Sequence, residues 1–187
     1  MGFSIRRGTR DDIATIVRFN CALARESESM DLDPVTVQAG VLAVMEDASK
    51  GFYLVAEAPA VPAESDPIAE MMLGDATFSA GGGNGPSRSQ DQVTAGQLLV
   101  TYEWSDWRCG DFWWIQSVWV EKDFRRRGIF KAMLERVIED AGKRVDVSGL
   151  RLYTTPGNRS AQAAYARLGM KSGRYVVFEA ESKGRPR

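Results

Sequence analysis

The sequence predicts a mixed α/β domain of the α+β kind, and three observations carry that reading. The run Phe112–Val120, FWWIQSVWV, is too short and too branched for a helix and reads as a buried strand. Beyond the charged turn Glu121–Arg127 and Gly128 the apolar spacing becomes helical, with Ile129, Met133, Leu134, Val137 and Ile138 on one face. Gly96–Trp104 alternates as a further strand, and the loop Ser105–Asp111 is short enough to return it to Phe112 as an antiparallel neighbour. At 187 residues the chain suits one domain, 1–187, with a substantial core.

The remaining elements follow in order. Ser4–Arg7 makes a short first strand, and Thr9 with Asp12 three residues later is a capping-box start. Ile13, Ile16, Val17, Cys21 and Ala24 then set a helix over Arg10–Ala24. The acidic residues after it, Glu26, Glu28 and Asp31, read either as a solvated loop or as a lip that attracts a cationic amine. Asp33-Pro34 starts a second helix, with Asp as cap and Pro at the first helical position. Val37, Val41, Val44 and Met45 continue it towards Gly51, which can take the left-handed position past its end. Phe52–Glu57 is the next strand.

Residues 58–95 lose all apolar period and are rich in Pro, Ala, Ser and Gly, so they read as a flexible insertion at a hairpin tip, within which MMLGDATF could add a local strand. On the strand that follows, Leu98, Val100, Tyr102 and Trp104 share one face, and Leu99, Thr101 and Glu103 the other. On the central strand Trp114, Gln116, Val118 and Val120 oppose Trp113, Ile115, Ser117 and Trp119. A helix over Gly128–Lys143, a strand over Leu150–Thr154 and a turn at Pro156–Asn158 come next. Ala161, Ala164, Tyr165 and Leu168 line one face of a last helix that stops at Gly169, and 174–181 supplies a closing strand before a frayed tail.

Composition excludes several functions. The 24 basic and 25 acidic residues nearly cancel, so no global field recruits nucleic acid or an anionic membrane. No apolar run reaches the ~20 residues of a membrane span, and MGFSIRRGTRDD lacks the apolar stretch of a signal peptide, so the expected location is the cytoplasm. Cys21 and Cys109 are too few for a disulfide framework. The chain contains no His, which removes His-based triads and His metal sites; no metal is expected. Clustered Trp, four between 104 and 114 with Trp119 beyond, serves as core filling or as an aromatic wall for an amine.

The order strand, basic glycine-containing turn, helix collects backbone N–H groups and the positive end of a helix dipole at one point, which suits a phosphate. This stretch, together with GLRLYTTPGNRSAQAAYARLGM, resembles the acetyl-CoA-dependent acetyltransferases of the GNAT superfamily, over roughly residues 3–57 and 96–180. The resemblance implies a mixed, mostly antiparallel central sheet with helices on both faces, and acetyl-CoA as co-substrate. The family's pyrophosphate loop, Gln/Arg-x-x-Gly-x-Gly/Ala, falls on Arg125, Arg126, Arg127, Gly128, Ile129 and Phe130, with Phe130 where a small residue is usual and Lys131 next in the helix. By the same match Val118, Trp119 and Val120 pair with the pantetheine arm through their backbone, Asn158 contacts the cofactor, and Tyr165 approaches the thioester sulfur.

The implied reaction is attack of a primary amine on the thioester carbonyl through a tetrahedral intermediate. The Val118 N–H can serve the oxyanion, and the Tyr165 phenol can protonate the leaving thiolate. Many relatives hold a carboxylate where Gln116 stands, and Gln cannot take the amine's proton. Glu103 is therefore the candidate base, with Asp106 beside it, unless the amine arrives neutral. The acceptor reads as a small-molecule or peptidic amine; a homodimer is compatible with the sequence. Two rival functions stand beside this one: a non-catalytic acyl-CoA sensor or interaction module, favoured by Gln116, and a nucleic-acid site on Arg125–Arg127, Lys131 and the Trp cluster, which the balanced charge opposes.

Overall fold

One five-stranded sheet runs β1 (Ser4–Arg7), β2 (Phe52–Pro59), β3 (Gln92–Ser105), β4 (Gly110–Val120) and β5 (Val147–Arg151), neighbours in that order. The first four strands are antiparallel and β5 is parallel to β4. The helices are α1 (Ile13–Glu28), α2 (Pro34–Glu46), α3 (Ile129–Gly142) and α4 (Arg159–Arg167). This computed structural model describes residues 2–60, 92–173 and 175–180. MMLGDATF and most of the insertion expected at 58–95 lie outside the described residues, while β2 and β3 run on to Pro59 and back to Gln92. The mixed, mostly antiparallel sheet expected from the sequence is present. The chain falls into two compact units, Met1–Leu152 and Tyr153–Arg187.

In the first unit, register sorts the side chains onto two faces. Tyr53, Val55 and Leu99 join Ile16 of α1 and Val41 of α2 in one buried cluster. Phe52, Leu54, Leu98 and Val100 take the opposite face, where α3 packs with Ile129, Met133, Leu134, Val137 and Ala141 buried. Fully burying side chains of this size contributes about 1.5–3 kcal/mol each. Ile138, expected among them, is 39% exposed. At 100° per residue it falls just outside the stripe that the other five define.

Alternation on β4 breaks at Ser117, whose φ of 47° marks a bulge. Gln97 pairs with Trp119 but Leu99 pairs with Gln116, so two residues oppose Leu98. The bulge turns Trp119 to the face of Gln116 and α1, the reverse of simple alternation, and its ring lies 6.4 Å from Phe19. Gln97 is fully buried beneath it and donates from Nε2 to Asn20 Oδ1 at 2.5 Å and to Ser117 O at 3.4 Å.

Helix ends also differ from the sequence reading. The Thr9 N–H donates to Asp12 Oδ2 at 2.8 Å, but a 3-10 turn over Arg10–Asp12 precedes α1, which runs on to Glu28 and ends at left-handed Ser29. Asp12 is buried and held by Arg6 at 2.6 and 2.9 Å; burial raises its pKa, yet the Arg6 and Thr9 hydrogen bonds outweigh it and the net shift is downward. Asp33 caps α2 as expected, accepting from Val35 and Thr36 N–H. Gly51 is no helix cap: α2 stops at Glu46, and a Cβ on Gly51 would lie 2.1 Å from Val100 O. Close approach of β3 requires glycine there. β5 begins three residues earlier than expected, because its ladder to β4 starts at Val147.

In the second unit, Asn158 Oδ1 accepts from Ala161 N–H at 3.1 Å to start α4. Gly169, at φ 83°, ends it, with Met170 N–H returning to Tyr165 O at 3.1 Å. The strand expected at 174–181 is not formed over 175–180, where Tyr175–Phe178 are all exposed. Alternation cannot make a strand without a ladder partner. No helix among the described residues is long and apolar enough to cross a membrane.

Candidate active site

β4 carries the site because its outer edge opens. Its ladder with β5 runs from Asp111 to Trp114 and stops there, so Ile115–Val120 have no strand beyond them among the described residues. The bulge at Ser117 falls within that open length. An extended amide-bearing arm can be held on such an edge through backbone N–H and C=O groups.

The chain then turns through a 3-10 segment, Lys122–Phe124, anchored by buried Phe124. Arg126 and Gly128 both have positive φ, 63° and 86°, before α3 begins. Nothing lies within 4 Å of a Cβ placed on Gly128, so the glycine answers to its backbone angle, and the space above it is open. Ala132 N–H donates to Gly128 O at 3.0 Å, and the N–H groups of a first helical turn have no intrahelical acceptor. Open space, helix N-terminus and exposed Arg126 and Arg127 together fit a diphosphate.

The other residues expected around the cofactor divide by role. Ile129 is 2% exposed and Trp119 6%, so both offer only backbone to a ligand. Trp119 Nε1 donates to Glu121 Oε2 at 2.9 Å, and Glu121 also takes Arg18 at 2.7 Å. Arg125, expected to bind phosphate, is committed elsewhere. Its Nε donates to Val120 O at 2.9 Å, its two terminal nitrogens grip Glu26 at 2.8 and 3.1 Å, and it stacks 4.8 Å from the Trp119 ring centroid. Glu26 is held below its ordinary pKa by that hydrogen bond. Glu26 and Glu28 lie within the last turns of α1 rather than in a loop beyond it, and with Asp31 paired to Arg25 at 2.8 Å two of the three carboxylates expected to form an acidic lip are already matched by arginines. Lys131 is exposed and 3.6 Å from Glu135; Phe130 is half-buried.

Glu103 belongs to a polar cluster on the α1–α2 face. It accepts from Trp114 Nε1 and, at 2.7 and 2.9 Å, from Arg151 Nη1, whose guanidinium lies 3.6 Å over Phe112. The Trp114 hydrogen bond is the largest influence on its carboxyl and, joined by Arg151, outweighs the upward push of burial, so the net shift is below the ordinary range. Glu103 is paired with Phe112, six residues before Val118, which is roughly 20 Å along a strand. Gln116 donates to Thr101 Oγ1 at 2.6 Å. Asp106 is an exposed hairpin residue that accepts from Trp107 N–H at 2.9 Å.

In the second unit, Asn158 spends Oδ1 on capping α4. Tyr165 is half-buried on that helix, and burial raises its pKa, so the phenol keeps its proton at neutral pH. The Ser117 bulge, Gln97 beneath it and Arg151 were not found by sequence reasoning. A lone charged residue at a strand end is the signal for Arg151, but its partner follows only from register.

Residues 46–170 match the Acetyltransferase (GNAT) family. Among solved structures, a possible acetyltransferase from Clostridium difficile 630 is 34% identical, with a TM-score of 0.74, covering 97% of this chain and 99% of that one. A predicted acetyltransferase with acetyl-CoA from Clostridium acetobutylicum shares the fold at 11% identity and TM-score 0.63, over 95% and 96% of the two chains. So does glucosamine-6-phosphate N-acetyltransferase from Arabidopsis thaliana, at 12% identity and TM-score 0.61, over 97% and 100%. No curated protein matches the sequence. With an open β4 edge leading into a glycine turn and a helix N-terminus, and a family match over 46–170, the chain belongs to the GNAT acetyltransferases, acyltransferases that use acetyl-CoA.

Proposed function

We propose that this protein transfers the acetyl group of acetyl-CoA to a primary amine by direct attack. The observation that carries the reading is the outer edge of β4, which among the described residues has no strand partner from Ile115 to Val120, is bulged at Ser117 and runs straight into the Gly128 turn. The edge at Val118–Val120 holds the pantetheine arm through its backbone, and the turn from Arg126 to Lys131 holds the diphosphate. Asn158 contributes to the cofactor arm and Tyr165 protonates the leaving thiolate; both rest on the family motif, and the proton-retaining phenol supports the second. The Val118 N–H serves the oxyanion.

The amine's proton goes to solvent. Glu103 is a weak base behind Arg151 and lies far along the strand from Val118, so it takes part only through water and chiefly shapes the acceptor wall with Trp114. The family match runs through both compact units, which supports one working domain over 1–187. Small-molecule and peptidic amines are the acceptors this wall suits, with the protein acting in the cytoplasm.

The test is a thiol-release assay with acetyl-CoA across polyamines, aminoglycosides, amino-sugar phosphates and peptide N-termini. Saturable, amine-dependent release, with acetylated amine in the mass spectrum, is expected. Tight acetyl-CoA binding by calorimetry without release for any amine would favour the non-catalytic acyl-CoA sensor instead.

A further inference from the structure

Gln97 on β3 is wholly buried, yet its side-chain amide is only half used. Nε2 donates to Asn20 Oδ1 on α1 at 2.5 Å and to Ser117 O on β4 at 3.4 Å. Oε1 accepts no hydrogen bond among the described residues. A buried acceptor left unmatched costs stability that an apolar side chain of the same shape would not. Packing alone therefore does not account for an amide at this position.

The backbone it holds is strained. Ser117 has φ 47°, a left-handed angle that a residue with a Cβ keeps only where its surroundings fix it. Here β3 supplies those surroundings. A Cβ on Gly96 would lie 2.8 Å from Trp119 O, and Glu121 N–H donates to Ala95 O at 2.8 Å, so this stretch of β3 lies tight against the end of β4. The peptide joining Ser117 to Val118 is planar and trans, so its N–H points opposite to its C=O. With the carbonyl held towards Gln97, the Val118 N–H is turned away from the buried amide.

We propose that Gln97 is a positioning residue for acetyl transfer, its Nε2 holding the Ser117 carbonyl so that the N–H of the same peptide, that of Val118, meets the oxyanion. This role rests on acetyl transfer with the Val118 N–H as oxyanion donor. As charge builds on the acetyl oxygen it polarises the peptide, the Ser117 carbonyl becomes a stronger acceptor, and the bond from Gln97 strengthens with it. An interaction that grows towards the transition state raises kcat and leaves ground-state binding alone. The second bond, to Asn20, fixes the plane of the amide that donates to Ser117.

The experiment is Gln97→Met in the full chain, which keeps the shape and removes both donors. With whichever amine supports thiol release, kcat is expected to fall about ten-fold or more, while the Kd for acetyl-CoA stays within about two-fold. An unchanged kcat, or a loss of kcat matched by an equal loss of acetyl-CoA affinity, overturns the role. The double variant Asn20→Leu with Gln97→Met removes both amides together and carries the same expectation if the single variant does not fold. Infrared spectra of bound acetyl-CoA, isotope-labelled at the acetyl carbonyl, read the same peptide without turnover. The C=O stretch should lie lower in the wild type than in the variant, and equal frequencies overturn the role. Wild type that releases no thiol with any amine would sink the transferase reading instead, and the infrared comparison then decides the role of Gln97 by itself.

Discussion

Arg125 grips Glu26 with both terminal nitrogens, at 2.8 and 3.1 Å, while its Nε holds Val120 O at 2.9 Å. The arginine at the head of the phosphate turn is therefore a brace between α1 and the end of β4, and its charge is already answered. Exposed Arg126, Arg127 and Lys131 are the cations left for phosphate, and the first two have no carboxylate as close as the Glu135 beside Lys131 among the described residues. Arg126→Gln and Arg127→Gln should each weaken acetyl-CoA binding about five-fold, roughly 1 kcal/mol, with the loss shrinking at high salt. Arg125→Gln should lower the melting temperature more than it lowers that affinity. Calorimetry at two ionic strengths, beside thermal melts, separates the two effects.

Gly128 has φ 86° and open space where a Cβ would go. A side chain there costs about 1–2 kcal/mol of backbone strain and meets no neighbour, so the fold should survive. Gly128→Glu should nonetheless abolish acetyl-CoA binding, because it sets a negative charge against the diphosphate. Retained affinity in calorimetry would mean that the cofactor lies elsewhere.

Tyr165→Phe should lower kcat ten-fold or more, about 1.4 kcal/mol of barrier, while acetyl-CoA still binds. Burial raises the pKa of this phenol, so the wild-type rate should hold through neutral pH and fall only on the alkaline side of the ordinary tyrosine range. That alkaline limb should be missing from the variant's pH profile.

Glu103→Gln should change kcat by less than about three-fold, since a carboxylate held down by Trp114 and Arg151 is a poor proton acceptor. A rise in the acceptor's KM with kcat retained is the expected signature of a wall residue. A hundred-fold fall in kcat would restore it as the base.

Asp12 is buried with Arg6, and its folded pKa is depressed below the unfolded value. Its contribution is therefore complete above the unfolded pKa and is lost as pH falls through the folded one. Asp12→Asn should cost roughly 3 kcal/mol at pH 7, the lower end for breaking a buried pair because Arg6 keeps some exposure. The gap between wild type and variant should close as melts are taken to more acid pH.

Much of this molecule is visible in the chain itself because the signals are local. The strand–turn–helix order around Gly128, the Asp33-Pro34 start of α2 and the Gly169 end of α4 all depend on residues within a few positions of one another. Backbone propensity and capping chemistry act over that range. The same holds for the family motif.

What tertiary structure decided involves partners distant in sequence. The Ser117 bulge moves Trp119 to the face of α1, although nothing in the strand's composition announces it. Glu103 pairs with Arg151 across 48 positions and Arg125 with Glu26 across 99, and each pairing changes a residue's chemistry from free to committed. Sequence alone established the fold class, the order of its elements and the turn that suits a phosphate. Which charged groups remain available to a ligand was settled only by strand register and helix packing, because a carboxylate's basicity and a guanidinium's freedom belong to the partners that the folded chain brings against them.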